Sequence, residues 1–317
     1  MNARYTLLAL LALLAANACA GGNQGSSALP SSVAPASTRT HNHGWLSPQA
    51  KSHGQALVYV SDNSANAIEI YPAGVDNPSP VGEITDGIAG PLGTFVDAQG
   101  TLYVANSSDN TVTEYPAGST SPSVTLSDSI SGPISVAVDS KGAVAVGEFS
   151  SGEIFVFPKG ASSPTIVLQL SLPEALAYDR HGRLFAAWNV NGGSKLLGHL
   201  TKCRPSRNVC IDQGISEGES GGLAIDRAGD VILGDQTNEQ INVYSPKMSL
   251  LRTISTTGHA PYKFELDRKE QTLYVSDYSN SEVVMYDYSS GEQTGTISSG
   301  LESAWGVSVS PPAKYGR

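Results

Sequence analysis

The sequence predicts an all-β protein, a six-bladed β-propeller whose ring is closed by a C-terminal innermost strand. A short apolar phrase such as Leu102-Tyr103-Val104 recurs at intervals of 40 to 47 residues, the spacing of propeller blades. Its copies lie at residues 58–60, 102–104, 144–146, 184–186, 231–233 and 273–275. A final apolar run, residues 305–310, has no strand after it and matches the strand that the first copy lacks. Ring closure therefore explains both ends of the repeat.

The composition agrees with one closed β structure. The chain has 317 residues with 33 Gly and 18 Pro, residues that suit many tight turns. It has 19 Lys and Arg against 29 Asp and Glu, and the first 54 residues contain no acidic residue. The acidic charge therefore falls entirely on the predicted propeller. Nucleic acid is excluded as a partner, because its binding depends on Lys and Arg that neutralise phosphates.

Residues 1–19 are predicted to be a signal peptide. Arg4 precedes an apolar run at 7–14, which is too short to span a bilayer comfortably. Ala16-Asn17-Ala18-Cys19 resembles a bacterial lipobox, although Leu is usual at Ala16. That resemblance implies lipidation of Cys19 and an exported protein anchored to a membrane, periplasmic or at the outer surface. Plain secretion after cleavage at Ala18 or Ala20 is the alternative.

Residues 20–54 are predicted to be a disordered tether, and residues 55–317 the propeller. The tether consists mainly of small and polar residues with few large apolar side chains. Such a segment buries too little surface to offset its ordering entropy.

Each blade follows the same predicted order. In four blades an innermost strand ends in Asp, a short turn ends in Gly, and the recurring phrase forms the second strand, as at Asp97 to Gly100. The turn at 267–270 keeps the Asp and loses the Gly. An apolar residue twelve positions beyond each phrase centre marks a third strand, which predicts one connection length in all blades. These residues are Tyr71, Tyr115, Phe157, Leu197, Tyr244 and Tyr286.

Cys203 and Cys210 are predicted to form a disulfide. In an oxidising compartment a close pair is most simply a bridge across a hairpin. The alternative is a metal site, for which His199 is the nearest further ligand.

The segments Leu102-Tyr103-Val104-Ala105-Asn106 and Tyr115-Pro116-Ala117-Gly118 resemble the NHL and YVTN-type repeats of bacterial exported β-propellers. The resemblance covers about residues 56–310. It implies the fold but leaves the function open, since such propellers include binding scaffolds, gluconolactonase-type lactonases and streptogramin-lyase-like enzymes.

A polar residue ends the second strand of every predicted blade. A cation collar and a set of side-chain caps are both compatible with this pattern. Equivalence in every blade favours caps, because a catalytic ring requires asymmetry. The residues are Asp62, Asn106, Glu148, Asn189, Asp235 and Asp277.

A second set lies at or just before the innermost strands and breaks the repeat. Its carboxylates and histidine suit Ca²⁺ or Mg²⁺ binding or general-base chemistry, and an acidic solvated rim is the alternative. Trp188 is a candidate stacking surface for a ligand at the channel, or a packing residue. No metal ligand set is assigned. The candidates at the channel mouth are Glu174, Glu217, Glu219, His259 and Glu302.

The sequence is compatible with two alternative functions. The first is a monomeric, non-catalytic binding or interaction scaffold of the cell envelope, for a protein or small-molecule ligand. The alternative is a divalent-metal-dependent hydrolase or lyase, of lactonase or streptogramin-lyase type, with its site at the channel mouth. Convergence of three of Glu174, Glu219, His259 and Glu302 would favour the enzyme.

Overall fold

A computed structural model describes residues 44–48, 50–51, 56–193 and 195–312. It is an all-β protein with six antiparallel sheets, which confirms the six-bladed β-propeller. The predicted signal peptide with Cys19, and the tether up to residue 43, lie outside the described residues. Within the part that is described, no helix has the length and apolar character needed to cross a membrane.

Each blade is a meander whose first strand is innermost. Blade 1 combines β25 (Ala304–Ser310) with β2 (Leu57–Asp62), β3 (Ala67–Pro72), β4 (Gly82–Ile84) and β1 (Trp45–Leu46). Blade 2 is β5 (Pro91–Val96), β6 (Leu102–Asn106), β7 (Thr111–Tyr115) and β8 (Val124–Leu126). Blade 3 is β9 (Pro133–Val138), β10 (Val144–Glu148), β11 (Glu153–Phe157) and β12 (Ile166–Gln169). Blade 4 is β13 (Leu172–Tyr178), β14 (Leu184–Asn191), β15 (Leu196–Arg204) and β16 (Val209–Glu217). Blade 5 is β17 (Ser220–Ile225), β18 (Val231–Asp235), β19 (Gln240–Tyr244) and β20 (Leu250–Ser255). Blade 6 is β21 (Lys263–Leu266), β22 (Thr272–Asp277), β23 (Glu282–Asp287) and β24 (Gln293–Ile297).

The C-terminal strand closes the ring as predicted. β25 pairs with β2, with Val309 opposite Val58 and Val307 opposite Val60. All four valines are buried and pack with Tyr274 of blade 6. A Cβ on Gly306 would lie 2.0 Å from the Leu92 carbonyl oxygen, so only glycine allows these inner strands to approach so closely.

Part of the segment assigned to the tether belongs to blade 1. Trp45 and Leu46 pair with Glu83 and Gly82 of β4. Leu46 and Ala50 pack on the apolar core between blades 1 and 2. Two apolar side chains in an otherwise polar stretch are thus enough to add a fifth strand to this sheet.

The constant connection predicted for the second and third strands is wrong in blade 4. In blade 2, Tyr103 pairs with Glu114, whereas in blade 4 Phe185 pairs with Lys202, six residues further along. Leu197 therefore does not occupy the position of Tyr71. That position, opposite the start of the second strand, is taken by Cys203.

The predicted disulfide is confirmed. Cys203 and Cys210 lie directly opposite each other on β15 and β16 and are bonded. Cys203 is fully buried in the core between blades 3 and 4, so the disulfide replaces the aromatic residue that the other blades carry there.

Candidate functional site

The central channel is narrow and lined by all six innermost strands. Its cavity has a volume of about 50 Å³. A single water needs roughly 10–15 Å³, so this volume holds a few waters and no larger ligand. A larger ligand must bind outside the channel. The lining includes Thr94, Ser135, Leu176, Leu223, Phe264 and Val307.

A buried ion pair closes one end of the channel. Lys263, at the start of the innermost strand of blade 6, reaches Glu174 on that of blade 4. Its Nζ lies 2.8 Å from the Glu174 carbonyl oxygen, 3.4 Å from Glu174 Oε1 and 3.5 Å from the Gly221 carbonyl oxygen. The ammonium group also lies near the backbone of Gly221 in blade 5, where the lack of a side chain leaves room for the backbone of Pro261 and Tyr262. This end, where the innermost strands begin, is the channel mouth.

Burial dominates the electrostatics of this pair. It raises the pKa of Glu174, an effect opposed by the nearby Lys263 ammonium group and by the Tyr262 hydroxyl. Burial also lowers the pKa of Lys263, and the Glu174 carboxylate opposes that shift. Burial therefore disfavours both charges, and each charge is favoured by the presence of the other.

Three aromatic rings cover the mouth beside the ion pair. Tyr278 and Trp305 are stacked, with ring centroids 4.7 Å apart and planes 16° from parallel. Tyr262 is edge-on to both, with centroid distances of 5.3 Å to Tyr278 and 5.2 Å to Trp305. Tyr278 is 36% exposed, and Trp305 is half-buried with its Nε1 donating to Ser303 Oγ at 2.7 Å. The stack is thus a fixed aromatic surface that solvent reaches.

Glu219 supplies a carboxylate next to this surface. It lies just before β17 and is half-buried, and burial together with the Glu174 charge raises its pKa. Its charge in turn helps to raise the pKa values of Tyr278 and Tyr262. Its backbone is held by hydrogen bonds with Thr237 and Gln236. Among the described residues, its carboxylate has neither a hydrogen-bond donor nor a cationic partner.

The polar residues that end the second strands act as caps, as the repeat predicts. Asp62, for example, accepts hydrogen bonds from the backbone amides of Ala65, Glu302 and Ser303. Asn106 and Glu148 bind the amides that precede their own innermost strands in the same way. Asn189 departs from the pattern and bonds Ser220 at the start of the next blade.

His259 joins a different group from the other rim residues. Its Nδ1 lies 3.0 Å from Asp277 Oδ2 and 3.2 Å from Glu282 Oε1. Such atoms can ligate a divalent cation, but Asp277 is already bonded to Ser279 and Asn280 through both oxygens. A cation would have to displace these donors, so the group is satisfied as an internal network.

The remaining candidates lie apart from the ion pair, the aromatic rings and Glu219. Glu302 is exposed, and only its backbone groups have partners in the described structure. Glu217 accepts hydrogen bonds from Asn242 and Tyr244. Trp188 stacks on His199 at 4.8 Å and donates to Thr201 Oγ1 at 2.7 Å, and both partners are on the third strand of blade 4. Of the four rim residues whose convergence would favour the enzyme, only Glu174 and Glu219 are neighbours.

Sequence reasoning missed Tyr262, Lys263, Tyr278 and Trp305. Three of them stand at the start of an innermost strand, and Tyr278 follows the capping Asp277. The available signal was the aromatic residues at the start of the last innermost strand, after its capping Asp277 and at the start of the closing strand.

No protein-family model matches this chain, and no curated protein matches its sequence. Solved structures are similar in fold. A chain of the nidogen/laminin complex has a TM-score of 0.65 at 14% identity, over 81% of this chain and 98% of that one. The streptogramin B lyase structure has 0.52 at 12%, over 68% and 70%. Hydrazine synthase of Kuenenia stuttgartiensis has 0.58 at 14%, over 82% and 86%.

These comparisons define the class of the protein, which is the β-propeller. At identities this low they show the fold alone. They include both a chain of the nidogen/laminin complex and a lyase, so the function has to be argued from the mouth of the channel.

Proposed function

We propose that this protein is a non-catalytic binding propeller whose ligand lies on the aromatic surface at the channel mouth. The observation that carries the proposal is the stacked pair Tyr278 and Trp305, reached by solvent and flanked by the partnerless carboxylate of Glu219. Rigid aromatic side chains contribute large contact areas at low entropic cost, which is why they dominate binding sites.

The ion pair beneath the rings supports binding at the face over passage through the channel. Lys263 and Glu174 close the channel, so a ligand on the rings would lie against the buried ion pair and would not enter the channel. Glu174 is held by Lys263 and Tyr262 and is not free to move a proton.

The cellular setting is part of the same proposal. We propose an exported protein with blades of NHL or YVTN type, anchored by lipid on Cys19. The disulfide between Cys203 and Cys210 supports export, because disulfides persist in oxidising compartments. Mass spectrometry of the mature N-terminus tests this: a diacylglyceryl mass on Cys19 is expected, and an unmodified N-terminus after Ala18 or Ala20 would contradict it.

A metal-dependent hydrolase or lyase is the second candidate, favoured by the group of His259, Asp277 and Glu282. Thermal unfolding with and without millimolar Ca²⁺ or Mg²⁺ separates the two proposals. The binding proposal expects no shift in Tm. A rise of several degrees that His259→Gln abolishes would favour the metal enzyme instead.

Trp305 offers a direct test of ligand binding. The chain contains three tryptophans, so Trp45→Phe with Trp188→Phe leaves Trp305 as the only indole emitter. We expect at least one probe among glucose, phenol and choline to change this emission saturably. Tyr278→Ala should abolish the response, since it removes half of the stack. Emission that no probe changes saturably would contradict the proposal.

A further inference from the structure

We propose that the ligand of the channel mouth is an organic cation, an amine, quaternary ammonium or guanidinium group held against Tyr278 and Trp305 by Glu219. This inference rests on the proposed function and names its ligand class. Three independent features of the molecule carry it: the distribution of charge between the two faces, an internal cation already bound by the same chemistry, and the carboxylate that has no cation.

The first feature is a charge imbalance between the faces of the propeller. The mouth face consists of the loops before the innermost strands, the loops between second and third strands, and the strand ends beside them. It carries the acidic residues Asp62, Asp86, Asp109, Asp128, Glu148, Glu153, Glu174, Glu217, Glu219, Asp235, Glu239, Asp277, Glu282 and Glu302. In the described chain, its only Lys or Arg residues are Lys195 and the buried Lys263.

The opposite face is balanced. Its turns and adjoining strand ends carry the basic residues Lys141, Lys159, Arg180, Arg183, Arg204, Arg207, Arg227, Lys247, Arg268 and Lys269. They carry an equal number of acidic residues, namely Asp76, Asp97, Asp139, Asp179, Asp226, Asp230, Asp267, Glu270, Asp287 and Glu292. The excess negative charge therefore lies at the mouth, where its field attracts cations and repels anions.

The second feature is Lys263, which shows the chemistry of this site. Its ammonium nitrogen lies 3.9 Å from the centroid of the Tyr262 ring and 3.4 Å from Glu174 Oε1. A cation held between an aromatic face and a carboxylate is the arrangement by which proteins recognise ammonium groups. The buried part of the mouth, formed by Tyr262 and Glu174, thus already holds a cation, which is the ammonium group of Lys263.

The third feature is the outer half of the mouth, which has the same components and no cation. Tyr278 and Trp305 provide aromatic surface, and Glu219 provides a half-buried carboxylate within electrostatic range of Tyr278. Among the described residues no Lys or Arg approaches this carboxylate. An aromatic surface alone would also suit a neutral sugar, but a sugar gains nothing from the acidic excess around it.

Choline and its neutral isostere 3,3-dimethylbutan-1-ol test the inference, because they have the same shape and differ in charge. Binding is measured by Trp305 emission in the full chain carrying Trp45→Phe and Trp188→Phe. We expect choline to bind at least about tenfold more tightly than the isostere. Raising the NaCl concentration should weaken the binding of choline and leave that of the alcohol unchanged.

Glu219→Gln is the decisive variant, with Glu302→Gln as its matched control on the same face. Glu219→Gln should bring the affinities of the two probes to within about threefold of each other, since only the Coulomb contribution is lost. Glu302→Gln should keep the preference for choline. Each protein is first checked for an unchanged Tm.

The outcomes separate this inference from the proposed function. Equal binding of both probes, abolished by Tyr278→Ala, would overturn the cation inference and support an aromatic binding site. Saturable binding of glucose alone would do the same. Absence of any response to all probes would overturn both.

Discussion

The Lys263–Glu174 pair shows how one buried contact shapes the site. It joins the innermost strands of blades 6 and 4 and closes the channel beneath the aromatic rings. Desolvation disfavours both charges, so the pair is a weak source of stability, but the loss of one partner leaves an isolated buried charge. Its main effect is to fix the positions of Tyr262 and of the innermost strands at the channel mouth.

Glu174→Leu should therefore lower the free energy of unfolding by about 3–5 kcal/mol, because Lys263 stays buried without its carboxylate. The double variant Glu174→Leu with Lys263→Met should recover most of this loss. Urea denaturation at pH 7 measures both. Equal destabilisation of the single and double variants would show that packing rather than charge is responsible.

The free energy of unfolding of the Glu174→Leu variant should depend on pH. Burial holds the pKa of Lys263 below its ordinary value of 10.5, and removal of Glu174 removes the group that opposes this shift. A pKa depressed in the folded state means that stability is lost as pH falls from 10.5 towards the folded pKa. The deficit of Glu174→Leu relative to wild type should shrink between pH 7 and 9.5, as measured by urea unfolding at each pH.

At the scale of an element, blade 4 departs from the others. The six extra residues lengthen β14 and β15, and the hairpin of β15 and β16 ends in a disulfide. In the remaining blades the equivalent of Cys203 is Tyr71, Tyr115, Phe157, Tyr244 or Tyr286. A covalent bond thus replaces the packing of a large ring, and it fixes the ends of a longer hairpin.

Cys203→Ser with Cys210→Ser should lower the free energy of unfolding by about 2–3 kcal/mol, the loop-closure entropy expected for so short a loop. The measurement is urea unfolding with and without a reductant. Reductant should destabilise the wild type by a similar amount and leave the double variant unchanged. A reductant effect on the double variant would point to a different cause.

At the scale of the whole molecule, closure by β25 makes the fold and the site one unit. The strand removes the exposed edge of β2, and it also places Trp305 against Tyr278 of blade 6. The closing strand therefore completes the mouth, and the binding surface exists only when the ring is closed.

Val307→Asp should prevent closure, because it puts a charge into the core shared by blades 1 and 6, where Val307 is 3% exposed. We expect insoluble protein or loss of a cooperative thermal transition. Leu250→Asp is the matched control on the outer strand of blade 5, where Leu250 is 56% exposed. Its effect should stay within about 0.5 kcal/mol. A normal melting transition for Val307→Asp would contradict the role of β25.

The repeat made most of the architecture predictable. Strand alternation and the Asp-led turns are local signals that recur in the same register in successive blades, and the unpaired run at 305–310 is a local signal at the end of the repeat. The prediction was wrong for Leu197 because that register was carried into blade 4, where the insertion is not visible as a change in residue type. It placed Trp45 and Leu46 in the tether because two apolar residues are too few to reveal a strand.

The sequence by itself determined the six blades, the closing strand, the disulfide and the capping role of residues such as Asp62, since these depend on local patterns repeated along the chain. Only the tertiary structure decided which side chains meet at the mouth. Glu174 and Lys263 are far apart in sequence, and Trp305 reaches Tyr278 only after the ring closes. No pattern along the chain encodes such contacts, because they arise from the geometry of inner strands converging on one axis.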